Sequence, residues 1–323
     1  MQDNEKKPAL RFKGFTDPWE QRKLGDLCVE FRSGEFISAL DITETGEYPV
    51  FGGNGLRGFT DRFNHDGEYT LIGRQGALCG NVNFAVGKSY FTEHAIAVRA
   101  DKKNQTRFLY YLFSTMDLGQ YSGQSAQPGL AVGNLVELKS TLPDKQEQEK
   151  ISGVLTALDT LITLHQRKYE RLVNIKKSML DKMFPKNGAS VPEIRFKGFT
   201  DPWEQRKLGD AFERVVRKNT NNESRLPLRI SAQDGLVDQI TYFNNRVASR
   251  DVSNYYLVYN GEFAYNKSTS DGYPFGAVKR LDWYEKGVLS TLYIVFALKH
   301  PEKDDSDFMT VFYDTDRWHR GVA

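Results

Sequence analysis

The segment RFKGFTDPWEQRKLGD at residues 11–26 recurs without a single change at residues 195–210. A solenoid would have a period of ~20–50 residues and several copies, so one recurrence at this distance indicates two similar modules that begin with the same segment. Asp17-Pro18-Trp19 has the composition of a turn followed by a large apolar anchor, and Leu24 is expected to dock on a core. The repeat is therefore predicted to seat each module and not to carry chemistry.

The sequences after the two copies diverge, but both follow a pattern of short strands, turns and one helix. In the first module the pattern predicts strands at 48–51, 69–72 and 95–99, a hairpin that runs out over 81–86 and returns over 89–92, and a helix over 106–116. In the second it predicts strands at 255–259, 261–265 and 287–298 and a helix over 307–313. Each module is predicted to be a small α+β domain.

Residues 144–184 carry the strongest helix pattern in the chain. Asp144 is predicted to be the N-cap, with Glu147 completing a capping box, and no proline follows until Pro185. About 40 residues at 1.5 Å each give a rod of ~60 Å. Residues at alternating steps of four and three form a narrow heptad face, which predicts pairing with another helix, as in a coiled coil. The predicted pairing residues are Ile151, Leu155, Leu158, Ile162, His165, Tyr169, Leu172 and Met179.

Composition narrows the class of protein. With 39% hydrophobic and 27% charged residues among 323, the chain is ordinary globular protein of about two domains. Its longest strongly apolar run, Leu292–Leu298, is far shorter than the ~20 residues that span a bilayer. The N-terminus lacks the apolar core of a signal peptide, and two cysteines cannot form a disulfide framework. We expect a soluble, cytoplasmic protein that does not enter a membrane.

Charge alone does not mark a nucleic-acid binder. The net charge is +2, from 44 basic and 42 acidic residues, and it divides into −1 for residues 1–143, +3 for 144–192 and 0 for 193–323. Any binding to nucleic acid must therefore depend on local clusters of residues or on partner proteins.

Motifs for catalysis are absent from the sequence. The segment GNVNFAVGKS at 80–89 has six residues where a phosphate-binding loop has four between its first glycine and Gly-Lys. The five histidines have no metal-ligand spacing, and no Ser/His/Asp or Cys/His order can be defended. We expect no catalytic residue, no metal site and no cofactor bound by this chain.

A binding surface is the remaining interpretation. Arginine, lysine, asparagine and glutamine are the side chains that grip phosphates and hydrogen-bond base edges in the major groove. In the first module such residues lie beside glycine-rich turns and aromatic residues, at Arg57, Arg62, Arg74, Gln75, Lys88 and His94. In the second module they are Arg246, Asn266, Lys267, Ser268, Thr269, Ser270, Lys279 and Arg280. These residues are the predicted DNA contacts.

The arrangement resembles the DNA specificity subunits of type I restriction-modification systems. The resemblance rests on the doubled repeat, on GQSAQPGL at 123–130, on Leu142-Pro143 followed by Glu147-Gln148 and Ile151, and on the stretch from Leu158-Asp159 to Arg167-Lys168. It implies two target recognition domains, at 1–143 and 195–323, separated by a spacer helix at 144–184 and a linker at 185–194. Each domain would read one half of a split site in double-stranded DNA.

The same resemblance implies the partners. Modification subunits would dock on the helical region and bring S-adenosylmethionine for adenine methylation, and a restriction subunit with motor and nuclease activities would complete the complex. The specificity subunit itself would not be catalytic. A ~60 Å rod is long enough to span more than one ~34 Å turn of DNA, as a reader of a split site requires.

The sequence departs from the family pattern in its second module. Counterparts of 124–143 and of a second long helix do not follow residue 323, so we expect an incomplete second domain and a spacer helix that pairs with another copy, a modification subunit or a separate fragment. Other interpretations are a truncated regulatory or self-pairing half-subunit that uses mainly the first domain, an enzyme in its own right, and a protein scaffold that does not bind DNA.

Overall fold

The computed structural model describes residues 8–123, 129–186, 188–231, 233–268, 275–315 and 318. The chain divides into two compact units, Met1–Arg167 and Lys168–Ala323. Both mix helices and strands, and a long helix, α3 (Lys145–Lys182), crosses the boundary between them. The predicted α+β class with a long helix is confirmed, whereas the assignment of target recognition domains to residue ranges stays a prediction.

The first unit is built from short strands and two short helices ahead of α3. Its strands are β1 (Glu20–Lys23), β2 (Cys28–Ser33), β3 (Tyr48–Gly52), β4 (Gly55–Thr60), β5 (Glu68–Gly73), β6 (Val82–Val86), β7 (Tyr90–Phe91), β8 (Ala95–Ala100) and β9 (Lys139–Leu142). Its helices are α1 (Thr106–Ser114) and α2 (Val132–Glu137). The strands form a four-stranded sheet in the order β2-β8-β5-β6, a three-stranded sheet in the order β4-β3-β7, and the pair β1-β9.

Strand β5 lies at the centre of the first unit and is buried on both faces. Ile72 faces α1, where it joins a cluster that includes Phe108, Leu109 and Phe113. Leu71 faces the three-stranded sheet, where it joins Phe91 and others. Because side chains alternate along a strand, this continuous apolar run supplies two cores at once. The unit is therefore layered as helix, four-stranded sheet and three-stranded sheet.

The predicted hairpin over 81–92 is wrong. Strand β6 pairs with β5, whereas β7 lies in the other sheet, parallel to β3 with Phe51 opposite Phe91. The Asn64 side chain accepts a hydrogen bond from the Phe91 N–H and donates one to its carbonyl oxygen, at 2.8 and 3.0 Å. Because the Phe91 backbone groups are hydrogen-bonded to Asn64, residues 89–92 do not pair with β6.

The first copy of the repeat is held by the segment that leads into α3. Strand β1 pairs antiparallel with β9, and the Leu24 N–H donates to the Leu138 carbonyl oxygen. The Arg11 guanidinium donates two hydrogen bonds to the Glu147 carboxylate, at 2.8 and 2.7 Å, and Trp19 Nε1 donates a third at 3.3 Å. The prediction that the repeat seats the module is confirmed for this copy.

The predicted capping box is half correct. Asp144 Oδ1 accepts a hydrogen bond from the Glu147 N–H at 2.9 Å, as an N-cap should. The Glu147 carboxylate, however, is turned away to Arg11 and Trp19 and is 1% exposed. A buried carboxylate is stabilised far more by a bidentate guanidinium than by one backbone N–H, so the side chain joins the repeat to the helix.

The described residues of the second unit contain three separate packing clusters. Its strands are β10 (Phe212–Arg214), β11 (Leu228–Ser231), β12 (Gly235–Asp238), β13 (Tyr256–Tyr259), β14 (Phe263–Asn266), β15 (Ala277–Arg280), β16 (Lys286–Leu289) and β17 (Ile294–Leu298). The helices after α3 are α4 (Leu208–Ala211), α5 (Gln239–Phe243) and α6 (Ser306–Phe312). The sheet β10-β17-β14-β15 is joined by the pairs β11-β12 and β13-β16. The predicted single strand over 287–298 is divided by a turn at 290–293 into β16 and β17, which pair with different partners.

Helix α3 is buried only at its start. Glu147, Gln148 and Ser152 are buried, and Ile151 packs on the core of the first unit. Further along, most of the predicted pairing residues are exposed, including Leu158, Ile162, His165, Tyr169 and Leu172. In the described parts of the chain, no helix is long and apolar enough to cross a membrane.

Candidate nucleic-acid interface

The turn between β3 and β4 is the centre of the first candidate surface. A Cβ on Gly53 would lie 3.0 Å from the His94 carbonyl oxygen, and a Cβ on Gly73 would lie 2.5 Å from the Gly53 carbonyl oxygen. Glycine at both positions lets three backbone segments approach this closely. The β3–β4 turn, the loop after β5 and the loop before β8 therefore meet at one edge of the unit.

Three of the predicted DNA contacts come together at this edge. His94 Nδ1 lies 3.1 Å from Gln75 Oε1, and the aliphatic stem of Arg57 lies over Gly52. The side chains of Arg57 and Gln75 are exposed, and that of His94 is partly exposed. We call Arg57, Gln75 and His94 the rim cluster.

Arg74 supports the rim cluster through its backbone. Its N–H donates to the His94 carbonyl oxygen and its own carbonyl oxygen accepts from the Leu130 N–H, each at 2.9 Å. These two bonds tie the loop after β5 to its neighbours, so the rim cluster stands on a hydrogen-bonded base. The Arg74 side chain itself is half-buried.

Arg62 and Lys88 lie at the opposite end of β3 from the rim cluster. The Arg62 guanidinium is 3.1 Å from Asp41 and lies over the Tyr90 ring, 5.5 Å from its centroid. Lys88 Nζ lies 4.7 Å from the centroid of the Phe63 ring. The six predicted residues of the first module thus fall into two groups and not one cluster.

A buried polar network lies beneath Arg62 and Lys88. His65 Nδ1 is 2.7 Å from Asn64 Oδ1, His65 Nε2 is 3.3 Å from Glu30 Oε1, and Tyr69 Oη donates to Glu30 at 3.0 Å. Burial lowers the pKa of His65, and the Glu30 carboxylate only partly offsets this. Burial tends to raise the pKa of Glu30, but hydrogen bonds from Arg32 and Tyr69 outweigh it and hold the pKa below its ordinary value. Sequence patterns do not reveal this network, because Glu30 lies 35 residues before His65 and 39 residues before Tyr69.

The network predicts that the first unit loses stability in acid. Both pKa values are lower in the folded state than in the unfolded state, so their stabilising contribution is complete above the unfolded values and is lost as the pH falls. We expect the free energy of unfolding to decrease between about pH 7 and pH 5, first through His65. His65→Phe should flatten this slope in urea unfolding series, and the exposed-residue variant His300→Phe should not. A slope unchanged by His65→Phe would contradict the assignment.

Two exposed apolar side chains that the sequence analysis missed flank the rim cluster. Leu56 precedes Arg57 on β4 and is 56% exposed, and Leu78 lies in the loop whose carbonyl oxygen approaches Gly73. Single exposed leucines are common on protein surfaces, so these two gain meaning only from their position beside the rim cluster. Such groups suit the methyl group of thymine. Hydrophobic periodicity could not have found them, since it predicts burial.

The predicted residues of the second module are dispersed. Arg246 donates to the carbonyl oxygens of Ala248 and Ser249 in its own loop. Asn266 ends β14 and accepts from the Ser268 N–H, with Lys267 exposed between them. Thr269 and Ser270 lie outside the described residues. Their role in binding, like that of the rest of the predicted set, stays a prediction.

Lys279 and Arg280 are engaged by carboxylates within the second unit. Lys279 Nζ is 3.1 Å from Asp314, and the Arg280 guanidinium is 2.6 Å from Asp282 and 2.7 Å from Asp307. Asp314 also lies 3.3 Å from Lys176, which stands between Leu172 and Met179 on α3. These ion pairs give both β15 residues a structural role. Among the described residues, no group of histidine, cysteine, aspartate or glutamate side chains could hold a metal ion.

Comparison with known proteins shows that one family model matches most of the first unit. Residues 16–174 match the model of the type I restriction modification DNA specificity domain. The type I restriction enzyme EcoprrI specificity subunit of Escherichia coli is 44% identical over 156 residues, which are 47% of this chain and 39% of that subunit. The MjaVIII specificity subunit of Methanocaldococcus jannaschii is 23% identical over 214 residues, 61% of this chain and 50% of that subunit. This chain therefore spans half or less of the length of these relatives.

A solved structure matches the fold along most of the chain. The S subunit of a type I restriction-modification system from M. genitalium aligns with 95% of this chain and 79% of its own length, with a TM-score of 0.63 and 17% identity. At that identity the likeness shows the fold alone. The family match covers the whole of the rim cluster and most of α3, including its exposed heptad face. Residues 16–174, just under half of the chain, are therefore similar to the type I restriction modification DNA specificity domain.

Proposed function

We propose that this chain reads a DNA sequence as the specificity subunit of a type I restriction-modification system, each recognition domain reading one half of a split site. The observation that carries the proposal is that the segment matching the DNA specificity domain contains the rim cluster. Arg57 and Gln75 are exposed and His94 is partly exposed, on a base fixed by backbone hydrogen bonds. A rigid base is what a set of base-reading groups requires.

The chemistry of the rim cluster suits the major groove. Arginine forms bidentate hydrogen bonds with guanine, glutamine does so with adenine, and the flanking leucines can contact thymine methyl groups. Arg62 and Lys88, at the other end of β3, suit phosphate contacts, which position a protein without reading sequence. The proposal therefore assigns base reading to Arg57, Gln75 and His94 and phosphate binding to Arg62 and Lys88.

Partners complete the proposed activity. Modification subunits would bind S-adenosylmethionine and methylate adenine, and a restriction subunit would supply the motor and the nuclease. This chain would be non-catalytic and would bind no cofactor itself. Its net charge of +2 suits a reader that shares the phosphate contacts with its partners, because those contacts supply most of the non-specific affinity.

The test is a methylome. The chain is expressed with its modification subunit in a host without methylation, and methylated adenines are mapped by long-read sequencing. An asymmetric split motif is expected if both domains read DNA. A palindromic split motif would mean that the first domain is used twice, in a self-paired assembly. With a modification subunit shown to be active, no motif at all would contradict the proposal.

Variants of the two basic groups are expected to behave differently. Arg57→Ala should weaken binding to the mapped site by about tenfold to hundredfold and relax the preference at one base pair. Lys88→Ala should weaken binding to all sequences alike and reduce the slope of log K against log salt by about 1. Fluorescence anisotropy with matched and single-mismatch duplexes measures both effects. Equal losses on matched and mismatched duplexes for Arg57→Ala would contradict its assignment to base reading.

Self-pairing is the second candidate, and the exposed face of α3 favours it. Leu158, Ile162, Tyr169 and Leu172 are each about half exposed or more along one helix. Large apolar residues in such a row are rarely left in water. In this form two copies would pair through α3 and present two first domains to a palindromic site.

A further inference from the structure

The two copies of the repeat begin alike in structure as well as in sequence. Gly14 and Gly198 have φ angles of +100° and +99°, and in each copy a turn is closed by a 3.3 Å hydrogen bond, from Phe15 to Phe12 and from Phe199 to Phe196. The local turn is therefore fixed by the sequence itself, with glycine in the left-handed region. What differs between the copies is what each one binds.

In the first copy, Arg11 and Trp19 share one carboxylate. Glu147, at the start of α3, accepts two hydrogen bonds from the Arg11 guanidinium and one from Trp19 Nε1. Residues 20–23 pair with β9, the strand that leads into this helix start. The segment that the first copy contacts is thus a strand followed by a helix, and the first turn of that helix carries a glutamate.

In the second copy, the corresponding groups contact no such segment among the described residues. Arg195 is the counterpart of Arg11, and its Nη1 is buried without a hydrogen-bond partner in the described part of the chain. Trp203 is the counterpart of Trp19 and packs on the rings of Phe184 and Phe308, each with centroids 5.7 Å away. Residues 204–207 form no strand. A buried guanidinium N–H without an acceptor is costly and is uncommon in native proteins.

A groove adjoins Arg195 within the second unit. It has a volume of about 570 Å³, and its walls are largely apolar, including Met179, Ile194, Phe196, Phe199, Trp203 and Phe308. Phe196 and Phe199 are 70% and 66% exposed. Lys176 and Asp307 also line the groove. The groove therefore offers apolar contact area beside a guanidinium with a buried, unpaired Nη1, which is the combination that an amphipathic helix start with a carboxylate would satisfy.

We propose that this groove binds a strand-and-helix-start segment of the same chemistry as residues 139–151, whose glutamate is held by Arg195 and Trp203 as Glu147 is held by Arg11 and Trp19. The occupant is a partner segment distinct from residues 139–151 of this chain, because those residues are already seated on the first copy. Its strand pairs with 204–207, and its glutamate follows an N-cap aspartate by three residues. Acidic residues are favoured in the first turn of a helix, so a glutamate at this position also stabilises the helix start of the occupant.

The test uses the full chain and a fluorescent synthetic peptide of residues 136–155, with anisotropy as the readout. We expect saturable binding that is weakened at least about tenfold by Arg195→Met in the chain or by Glu147→Gln in the peptide. Lys197→Met removes a positive charge from an exposed position two residues away and should leave binding unchanged. Because Arg195 makes no hydrogen bond to the described residues, Arg195→Met should fold, which thermal unfolding checks.

A photocrosslinker placed at the peptide position of Ile151 locates the site by mass spectrometry. Crosslinks to residues 176–203 or 308–311 support the proposal, and crosslinks confined to residues 8–24 overturn it by showing exchange at the first copy. Absence of saturable binding up to millimolar peptide, or equal affinity for wild type and Arg195→Met, also overturns it. None of these measurements involves DNA, so they stand apart from the test of sequence reading.

Discussion

Leu24→Ala is expected to destabilise the first unit by about 2–5 kcal/mol, the usual cost of truncating a fully buried leucine. Leu24 is 0% exposed and belongs to the main core of the first unit with Leu27, Leu109 and Leu135. Its backbone N–H is bound to Leu138, so the surrounding chain has little freedom to close the cavity. In a thermal unfolding experiment the midpoint of this unit should fall by roughly 4–20 °C.

The chain provides its own control for this prediction. Leu208 occupies the same position in the second copy of the repeat, with identical neighbours in sequence, but it is 41% exposed. Leu208→Ala should therefore cost less than about 1 kcal/mol, as is usual for surface positions. Equal losses from the two variants would mean that the repeat itself, and not the core beneath it, determines stability.

The repeat also shows how far a sequence can determine its own structure. The glycine turn at 12–15 is the same in both copies because it depends on one residue at a positive φ. The strand at 20–23 is present only where β9 lies beside it, since a strand needs a partner for its backbone groups. The burial of Leu24 in the first copy was therefore predicted correctly, whereas the glycine turn and the difference between the copies were not predicted.

The element types were predicted better than their pairing. The strands at 48–51, 69–72 and 95–99 and the helix at 106–116 appear close to their expected positions, as β3, β5, β8 and α1. The hairpin over 81–92 failed because Asn64, which is distant in sequence, binds the Phe91 backbone. Pairing depends on such long-range groups, and a period-2 pattern carries no information about them.

The sequence analysis predicted which residue types form the candidate site, whereas the structure shows which of those residues lie close together. Arg57, Gln75 and His94 meet because Gly53 and Gly73 let three loops approach. Arg62 and Lys88 were predicted to belong to the same cluster but lie at the other end of β3. A glycine-rich turn nearby in the sequence does not indicate at which end of a strand a residue will lie. Lys279 and Arg280 satisfied the same compositional rule, yet they lie in ion pairs that only the fold creates.

The pairing face of α3 gives the prediction with the largest effect on assembly. Leu158→Asp combined with Ile162→Asp places two charges at the centre of the exposed heptad face. Burying an apolar side chain of this size contributes about 1.5–3 kcal/mol, and both helices of a self-paired assembly would lose two such contacts. We expect the dissociation constant of the self-paired chain to rise by at least about a hundredfold, measured by sedimentation equilibrium.

The matched control places the same two charges on the other side of the helix. Thr160 and Thr163 are exposed, and their hydroxyl groups donate to the carbonyl oxygens of Thr156 and Asp159 in the same helix, so they are bound to their own backbone. At 100° per residue they lie roughly 120–180° from the centre of the Leu158–Ile162 face. Thr160→Asp with Thr163→Asp changes the net charge by the same amount as the first double variant but leaves the apolar face intact. It should therefore leave self-association unchanged. If both weaken it alike, charge repulsion and not the apolar face controls assembly. A wild-type chain that stays monomeric at high concentration would contradict self-pairing and leave the face to a helix of a different partner.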